Sequence, residues 1–187
     1  RPLTRGLART GVTANQVTFA ACFISIGIGT LLVSMSHESM LFLLVPAWLF
    51  VRMALNAIDG MLAGEFGQKT ALGAYLNELA DVVSDTALYA PFALVPGSNP
   101  WLVGGVIVLS IISEMAGTVA VMTGASRRYD GPMGKSDRAL VFSLLGLFLG
   151  IGAPVSAWLN WVWVAMVLLI AMTVVNRIQK GLRELGH

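Results

Sequence analysis

The sequence predicts an all-α integral membrane protein with six transmembrane helices and a short N-terminal interfacial helix. Of its 187 residues, 56% are hydrophobic and 12% are charged, whereas soluble domains carry about 25% charged residues. Apolar runs recur along the whole chain, and the basic residues are concentrated at the two ends and in alternate loops. These observations exclude an ordinary soluble enzyme and favour a protein that crosses the bilayer several times.

The N-terminal segment 1–12 is predicted to lie on the membrane surface. Its arginines, Arg1, Arg5 and Arg9, recur every four residues with leucines between them. This spacing places the charges on one helical face and the leucines on another, which is typical of an interfacial helix. The remainder, 13–187, is predicted to form the transmembrane domain.

Six apolar runs are long enough to serve as membrane spans. A hydrocarbon core of about 30 Å needs about 20 apolar residues in a helix. The predicted spans are residues 16–36, 39–63, 71–95, 100–124, 138–154 and 157–180. The predicted N-caps, chosen for their short polar side chains, are Thr13, Asn99 and Ser136.

The distribution of lysine and arginine predicts the orientation. Basic residues lie at or near the cytoplasmic ends of the predicted spans, and only Arg52 lies deep inside one. By the positive-inside rule, both termini and the loops 64–70 and 125–137 are expected to be cytoplasmic. Because these charges follow the membrane pattern, nucleic acid is not an expected partner. The single cysteine, Cys22, provides no disulfide framework.

A group of polar residues interrupts the second and third spans. Asn56 and Asp59 are three residues apart near the cytoplasmic end of the second span, so they share a helical face. The third span carries a stripe at every fourth residue, namely Gly73, Asn77, Asp81 and Asp85. The short turn between the spans predicts antiparallel neighbours. We therefore expect Asn56, Asp59, Asn77 and Asp81 to meet in one pocket that faces the cytoplasm.

The residue types in this predicted pocket indicate a metal site. Carboxylates that lie close together repel each other unless a cation lies between them. Oxygen ligands without histidine or cysteine suit a hard ion, Mg²⁺ or Mn²⁺, which commonly accompanies phosphate groups. Gly60 and Ala63 have little bulk, so a large polar ligand can approach the backbone beside Asp59.

These residues resemble the signature of the CDP-alcohol phosphotransferases, usually D-x2-D-G-x2-A-R-x8-G-x3-D-x3-D. Every spacing of that signature is kept here. The matching positions are Asn56, Asp59, Gly60, Ala63, Gly64, Gly73, Asn77 and Asp81. A weaker similarity is "TANQVT" at 13–18, where the family has T-P-N-x-x-T. The resemblance, which is greatest to a bacterial branch, implies six spans, cytoplasmic termini, the bacterial inner membrane and a homodimer.

The resemblance also implies a reaction. Members of this family displace CMP from a CDP-linked donor, often CDP-diacylglycerol, with an alcohol as nucleophile and divalent ions on the diphosphate. Asn56, Asp59, Asn77 and Asp81 would then hold Mg²⁺ or Mn²⁺, in one or two ions, and Asp81 would also act as general base. Asp59 would contact the nucleotide, while Gly60, Ala63 and Gly73 would leave room for it.

Three positions depart from the signature. Asn56 and Asn77 replace aspartates, so two negative charges are absent and a second metal ion would be held more weakly. Gly64 replaces an arginine and removes a bidentate phosphate contact. An alternative role for the two asparagines is to join membrane helices by hydrogen bonds. Reduced activity is one expected consequence of the departures.

A second group of charges is expected deeper in the membrane. Arg52, Asp85 and Glu114 lie at similar depths on three spans, about 16–20 Å from the cytoplasmic ends by helical rise. We expect a structural ion cluster in which Arg52 neutralises Asp85 and Glu114. Polar residues around the last cytoplasmic loop are predicted to bind an anionic acceptor or a lipid headgroup. They are Arg127, Lys135, Ser136 and Arg138. The alternative is that this basic charge only orients the protein.

The favoured interpretation is a membrane transferase that acts on a CDP-linked, lipid donor at the cytoplasmic leaflet. One rival is a non-catalytic relative that binds a CDP-lipid or partners another lipid enzyme, and it is favoured by Asn56, Asn77 and Gly64. A second rival is a small transporter that uses Asp81, Asp85 and Glu114 as an ion path. Against the transporter, the predicted charges lie toward one side of the membrane.

Overall fold

The computed structural model describes residues 10–186 together with Thr4 and Gly6, and no strand forms among them. The predicted interfacial helix at 1–12, with Arg1, Arg5 and Arg9, lies largely outside the described residues. Thr4 is buried, and its hydroxyl lies 3.9 Å from the sulfur of Met61. The N-terminal segment therefore contacts the helical domain at this point.

Six long helices build the domain. They are α1 (Ala14–Ser34), α2 (Leu44–Glu65), α3 (Ala71–Tyr89), α4 (Pro100–Met122), α5 (Lys135–Gly150) and α6 (Leu159–Glu184). Two short 3-10 helices accompany them, Ser39–Leu43 before α2 and Ala90–Leu94 after α3. Each predicted span therefore contains a helix.

Four of these segments are long and apolar enough to cross a membrane, namely α1, Ser39–Glu65, α4 and α6. The other two helices differ for separate reasons. α3 carries Glu78, Asp81 and Asp85 within 19 residues. α5 has 16 residues, which span only about 24 Å. By length and composition, the described chain thus supports four spans, and the prediction of six is not confirmed.

Two of the predicted helix caps are confirmed. The Thr13 hydroxyl accepts a hydrogen bond from the Gln16 amide at 3.2 Å, and the Gln16 side chain accepts one from the Thr13 amide at 3.0 Å. This reciprocal pair is a capping box. Asn99 accepts from the Trp101 amide at 3.0 Å and caps α4.

The third predicted cap, Ser136, is wrong. α5 begins at Lys135, and Gly134 occupies the cap position. The Gly134 amide donates to the Asp137 carboxylate at 2.8 Å. A carboxylate in the first turn satisfies this amide and also suits the positive end of the helix dipole, so α5 starts before Ser136.

Helix α1 contacts both helices that carry the polar motif, α2 and α3. α1 packs extensively on α3 and also contacts α2, while α4 packs on α6 and α2 on α5. At Gly29 the two backbones approach so closely that a Cβ atom would lie 2.2 Å from the carbonyl oxygen of Ala87. In contrast, α2 and α3 make few backbone contacts. The short turn predicts α2 and α3 as antiparallel neighbours. They are joined by the ion pairs of Arg52 with Asp81 and Asp85, while α1 packs against both helices.

An aromatic core closes the opposite end of the bundle. The Tyr89 and Phe142 rings stack with centroids 3.7 Å apart, and Phe92 meets Phe142 edge to face at 5.0 Å. Trp163 packs on the same rings and is fully buried. Aromatic side chains bury large apolar areas, so this core fixes the C-terminal half of α3 against α5 and α6. The N-terminal half of α3 is left to line the cleft.

Candidate functional site

The cleft contains a cavity of about 950 Å³ between α1, α2, α3, α5 and the loop before α5. All four predicted metal-binding residues line it, namely Asn56, Asp59, Asn77 and Asp81. Cavities of this size accommodate a ligand as large as a nucleotide. The residues converge because α1 holds α2 and α3 on either side of the cavity, and not because α2 and α3 pack together.

Asp59 is a buried carboxylate with one strong hydrogen-bond donor. It is 7% exposed, and its Oδ2 accepts a hydrogen bond from the Thr18 hydroxyl at 2.8 Å. Small apolar contacts between α1 and α2, formed by Ala14, Val17 and Ile58, hold the two helices together at this level. Thr18 therefore fixes the orientation of the Asp59 carboxylate at the cavity wall.

Asp81 has a different environment, since both of its carboxylate oxygens face cations. Arg52 on α2 lies 3.0 Å from Oδ1, and Lys135 on α5 lies 2.5 Å from Oδ2. Arg52 also donates to the Asp81 backbone carbonyl at 3.1 Å. Asp81 thus links α3 to helices on both sides of the cleft.

The two asparagines of the motif face the cavity without a protein partner. Within the described residues, neither Asn56 nor Asn77 makes a side-chain hydrogen bond, and both line the cavity. The alternative in which they join helices by hydrogen bonds therefore has no support in this structure. Their amide oxygens remain available to a ligand.

The donor set determines which metal the cavity suits. No three side chains among histidine, cysteine, aspartate and glutamate converge as metal ligands in the described part of the chain. Two carboxylates, Asp59 and Asp81, and two neutral amides are available instead. These oxygen donors fit a hard divalent cation that completes its coordination with water and substrate oxygens, and their low total charge favours weak binding.

Of the small residues predicted to make room for a nucleotide, Gly60 and Ala63 border open space and Gly73 does not. Gly60 is exposed and a Cβ atom there would meet no atom within 4 Å, and Ala63 lines the same cavity. At Gly73, however, a Cβ atom would lie 2.8 Å from Oδ1 of Asn15. Gly73 thus accommodates the α1 side chain. Asn15 and Thr18 were not among the predicted site residues, although "TANQVT" contains both.

Of the four residues predicted to bind an acceptor or headgroup, three line the cavity. They are Arg127, Lys135 and Ser136. Arg127 lies 2.7 Å from Glu78 and 3.5 Å from Glu114. Arg138 instead is fully buried. Its guanidinium contacts Ser113 at 3.2 Å and Glu114 at 2.9 Å, because the first turn of α5 directs it into the helix bundle.

The predicted ion cluster forms with different partners. Arg52 pairs with Asp85, as expected, and also with Asp81. Glu114 does not pair with Arg52. Its pairs are Arg138 at 2.9 Å, Arg177 at 3.4 Å and Arg127 at 3.5 Å. The prediction for Glu114 is wrong because two buried arginines from α5 and α6 supply the positive charge beside it.

Arg177 on α6 is a buried charge that was not among the predicted site residues. It is 2% exposed, and its guanidinium donates to the Ser113 carbonyl in addition to pairing with Glu114. The α4 residue Gly117 permits this approach, because a Cβ there would lie 2.6 Å from the Arg128 carbonyl oxygen and 3.4 Å from Arg177. The one sequence signal for the burial of this arginine is its position within the last predicted span, 157–180.

Salt bridges clamp the loop before α5 onto the end of α6. Glu184 accepts hydrogen bonds from the Ser126 amide and hydroxyl at 2.8 and 2.7 Å and pairs with Arg128 at 2.6 Å. Lys180 pairs with Asp130 at 2.8 Å and holds the pKa of that carboxyl below its usual value. We name these five residues the loop clamp. It fixes the segment that carries Arg127 and Lys135 over the cavity.

Comparison with known proteins places this arrangement in a family. The sequence pattern of the family described as CDP-alcohol phosphatidyltransferase matches residues 11–175. The chain belongs to this family. The matched residues include all of α2 and α3 and therefore the motif positions that line the cavity.

Curated relatives cover most of this CDP-alcohol phosphatidyltransferase chain. The inner membrane protein YnbA of Escherichia coli is 46% identical over 177 residues, which are 95% of this chain and 88% of YnbA. The phosphatidylinositol phosphate synthase of Corynebacterium glutamicum is 28% identical over 166 residues, 82% of this chain and 71% of that enzyme. The chain is therefore a membrane protein of a transferase family.

Solved structures share the fold. The phosphatidylinositol phosphate synthase PgsA1 of Mycobacterium tuberculosis with CDP-DAG bound has a TM-score of 0.78 at 22% identity, covering 96% of this chain and 92% of that chain. The structure of the same synthase in complex with manganese and citrate also has a TM-score of 0.78, at 21% identity, covering 96% and 87%. At this identity the similarity concerns the fold.

Proposed function

We propose that this protein transfers a phosphatidyl, or another phospho-alcohol, group from a CDP-linked donor to an alcohol, with release of CMP, in phospholipid biosynthesis. CDP-diacylglycerol is the favoured donor. One observation carries the proposal: Asp59 and Asp81 face a large cavity across a cleft, beside open space at Gly60. The CDP-DAG complex of the mycobacterial synthase, which has the same fold, supports this choice of donor.

The residues on the α2 side of the cavity suit the nucleotide and its diphosphate. Asp59, oriented by Thr18, would hold Mg²⁺ or Mn²⁺ together with the amide oxygens of Asn56 and Asn77. When bound, such an ion neutralises diphosphate charge and stabilises the leaving CMP. Gly60 presents backbone without a side chain, so the nucleotide can approach the helix closely.

Asp81, which the resemblance also implies as a metal ligand, is proposed as the general base that takes the proton of the acceptor alcohol. In the structure its Oδ2 is held by Lys135, so that oxygen is not available to an acceptor alcohol. The lysine side chain is flexible and 32% exposed, so its ammonium can move to a phosphate oxygen. That movement would free Oδ2 for proton transfer while Arg52 continues to orient the carboxylate.

The basic wall of the cavity suits an acceptor that carries its own negative charge. Arg127, Lys135 and Ser136 line this wall, and guanidinium and ammonium groups bind phosphate oxygens strongly. The relationship to phosphatidylinositol phosphate synthases is consistent with an alcohol that bears a phosphate. Arg138 is assigned instead to the buried ion cluster, where it holds Glu114.

The cavity is proposed to open to the cytoplasm in a bacterial inner membrane, with both termini on that side. The positive-inside pattern supports this orientation, and the relative YnbA is an inner membrane protein. A homodimer is proposed from the family resemblance.

A second candidate function is non-catalytic binding of a CDP-lipid. Two specific observations favour it: Asn56 and Asn77 contribute no charge to the cavity, and both oxygens of Asp81 are already paired. The transporter alternative has no such support, because the buried stack of Tyr89, Phe92 and Phe142 closes the end of the bundle beyond the ion cluster.

Release of CMP from CDP-diacylglycerol tests the proposal. The purified protein in lipid nanodiscs would be given Mg²⁺ or Mn²⁺ and one of four acceptors: glycerol phosphate, serine, inositol phosphate or phosphatidylglycerol. We expect metal-dependent release with a phosphate-bearing acceptor. Binding of CDP-diacylglycerol without release under any condition would contradict the transferase and favour the binding protein.

A further inference from the structure

The two carboxylates of the cavity differ in how far their charge is compensated. Both oxygens of Asp81 are paired with cations, Arg52 at 3.0 Å and Lys135 at 2.5 Å. Asp59 makes no ion pair with any described residue, and its hydrogen-bond donors, the Thr18 hydroxyl and the Gly60 backbone, are neutral. Among the motif residues, Asp59 is thus the one whose negative charge is left for an added cation.

Lys135 occupies an unusual position for a lysine. It is the first residue of α5, where the positive end of the helix dipole disfavours a cation. Its ammonium is nevertheless held in the cavity by Asp81, and it acts electrostatically on Asp59 as well. The cavity therefore already contains a positive charge paired with one of its two motif carboxylates.

The neutral asparagines limit how many divalent ions this arrangement can hold. An ion at Asp59 can use the carboxylate and the amide oxygens of Asn56 and Asn77. A second ion at Asp81 would have to displace Lys135 and lie close to Arg52. No other carboxylate of the motif would be left to bind it. The repulsion between such an ion and the neighbouring cations, Arg52 and Lys135, is large in a partly buried site.

We propose that the cavity binds one divalent cation, at Asp59, and that the ammonium of Lys135 supplies the second positive charge that faces the donor diphosphate. The role toward the diphosphate rests on the proposed function, whereas the number of ions does not. Lys135 would then be both the counter-ion of Asp81 before the donor binds and a phosphate ligand afterwards.

Titration with Mn²⁺ alone tests the ion count. The full chain in nanodiscs would be titrated and bound Mn²⁺ measured by electron paramagnetic resonance. We expect one Mn²⁺ per chain. Two ions of comparable affinity would overturn the proposal, and so would the absence of any saturable Mn²⁺ binding. This measurement needs no variant and no turnover.

Variants of Lys135 test whether its ammonium is the second positive charge of the cavity. Lys135→Met removes the ammonium, so Mn²⁺ should bind about tenfold more tightly, whereas the charge-conserving Lys135→Arg should bind it as the parent does. Thermal unfolding of each variant checks the fold. Equal Mn²⁺ affinity in Lys135→Met and the parent would overturn the role of Lys135.

Restoring charge provides the converse test. The double variant Asn56→Asp and Asn77→Asp adds a carboxylate on each side of the cavity and should bind a second Mn²⁺. If it still binds one, the asparagines do not limit the ion count and the proposal fails. CMP release measured in parallel separates the single-ion inference from the proposed transferase activity. If the parent binds two ions and turns over, only the single-ion inference is refuted. If it binds one ion and does not turn over, only the transferase is refuted.

Discussion

Arg52 on α2 and Asp81 on α3 lie 3.0 Å apart across a cleft in which their helices hardly touch. Arg52 also pairs with Asp85 one turn deeper. Because Arg52 is 3% exposed and Asp85 6% exposed, this guanidinium compensates a largely buried negative charge. It joins the buried ion cluster to the cavity, so the stability of the fold and the position of the proposed base depend on one side chain.

Replacing Arg52 by leucine should destabilise the protein. The change leaves Asp85 with only the more distant Arg138, at 3.7 Å, and breaking one partner of a buried pair costs about 3–5 kcal/mol. Thermal unfolding in detergent measures the loss. Arg183→Leu, at an exposed arginine of α6, is the matched control. If both variants unfold at the parent temperature, Arg52 does not hold the cluster.

Asp81→Asn should abolish CMP release and leave the fold intact. The amide keeps an oxygen for Arg52 but cannot accept a proton, and loss of a general base costs about 10²–10⁴ in rate. Turnover and thermal unfolding would be measured together. Glu38→Gln, at an exposed carboxylate at the opposite end of the bundle, serves as control. Full turnover in Asp81→Asn would remove Asp81 from the base role.

Sequence reasoning predicted more of the cavity than of its surroundings. Spacing alone places Asn56 with Asp59, and Asn77 with Asp81, because helical periodicity is local. How the helices pair is not local: α1 approaches α3 closely at Gly29 and also packs on α2. The sequence contains that glycine, but its packing partner is almost sixty residues away.

The ion cluster shows the same limit. The depth of Glu114 along α4 was predictable from the helical rise, but its partners depend on how α5 and α6 rotate. Arg138 was predicted to bind an acceptor or headgroup, because basic residues near span ends usually remain in water. Buried arginines are recognised only once their carboxylate partners are located.

Gly64→Arg should strengthen binding of the donor. Residue 64 lies one turn after Gly60 on the same face of α2, and a Cβ atom there would meet nothing within 4 Å. An arginine can therefore reach a phosphate in the cavity and bind it in a bidentate manner. We expect KM for CDP-diacylglycerol to fall several-fold. Gly64→Ala controls for the change in helix propensity, and equal KM values in the two variants would contradict the contact.

We expect Arg127 to bind the acceptor and Arg138 to stabilise the fold. Arg127→Gln, in the cavity wall, should raise KM for a phosphate-bearing acceptor about tenfold, the loss of one charge-assisted contact, with a small change in unfolding temperature. Arg138→Gln should chiefly lower the unfolding temperature, because Glu114 and Asp85 lose a fully buried partner. The opposite pattern would return Arg138 to the acceptor site.

The loop clamp should weaken at acidic pH through Asp130. Lys180, and to a lesser extent Arg128, lower the pKa of this carboxyl in the folded protein. A lowered folded-state pKa means that the carboxylate stabilises the fold above its unfolded pKa of about 3.9. This contribution is lost as the pH falls through the lowered folded value.

Asp130→Asn isolates that contribution from those of the other acids. At neutral pH the variant should unfold at a lower temperature than the parent, and amides of residues 125–134 should exchange hydrogen faster. As the pH falls below about 3.9, the usual carboxyl pKa, the difference should shrink, because Asp130 in the parent becomes neutral as well. A difference that persists at low pH would show that the clamp acts through packing and not through the charge of Asp130.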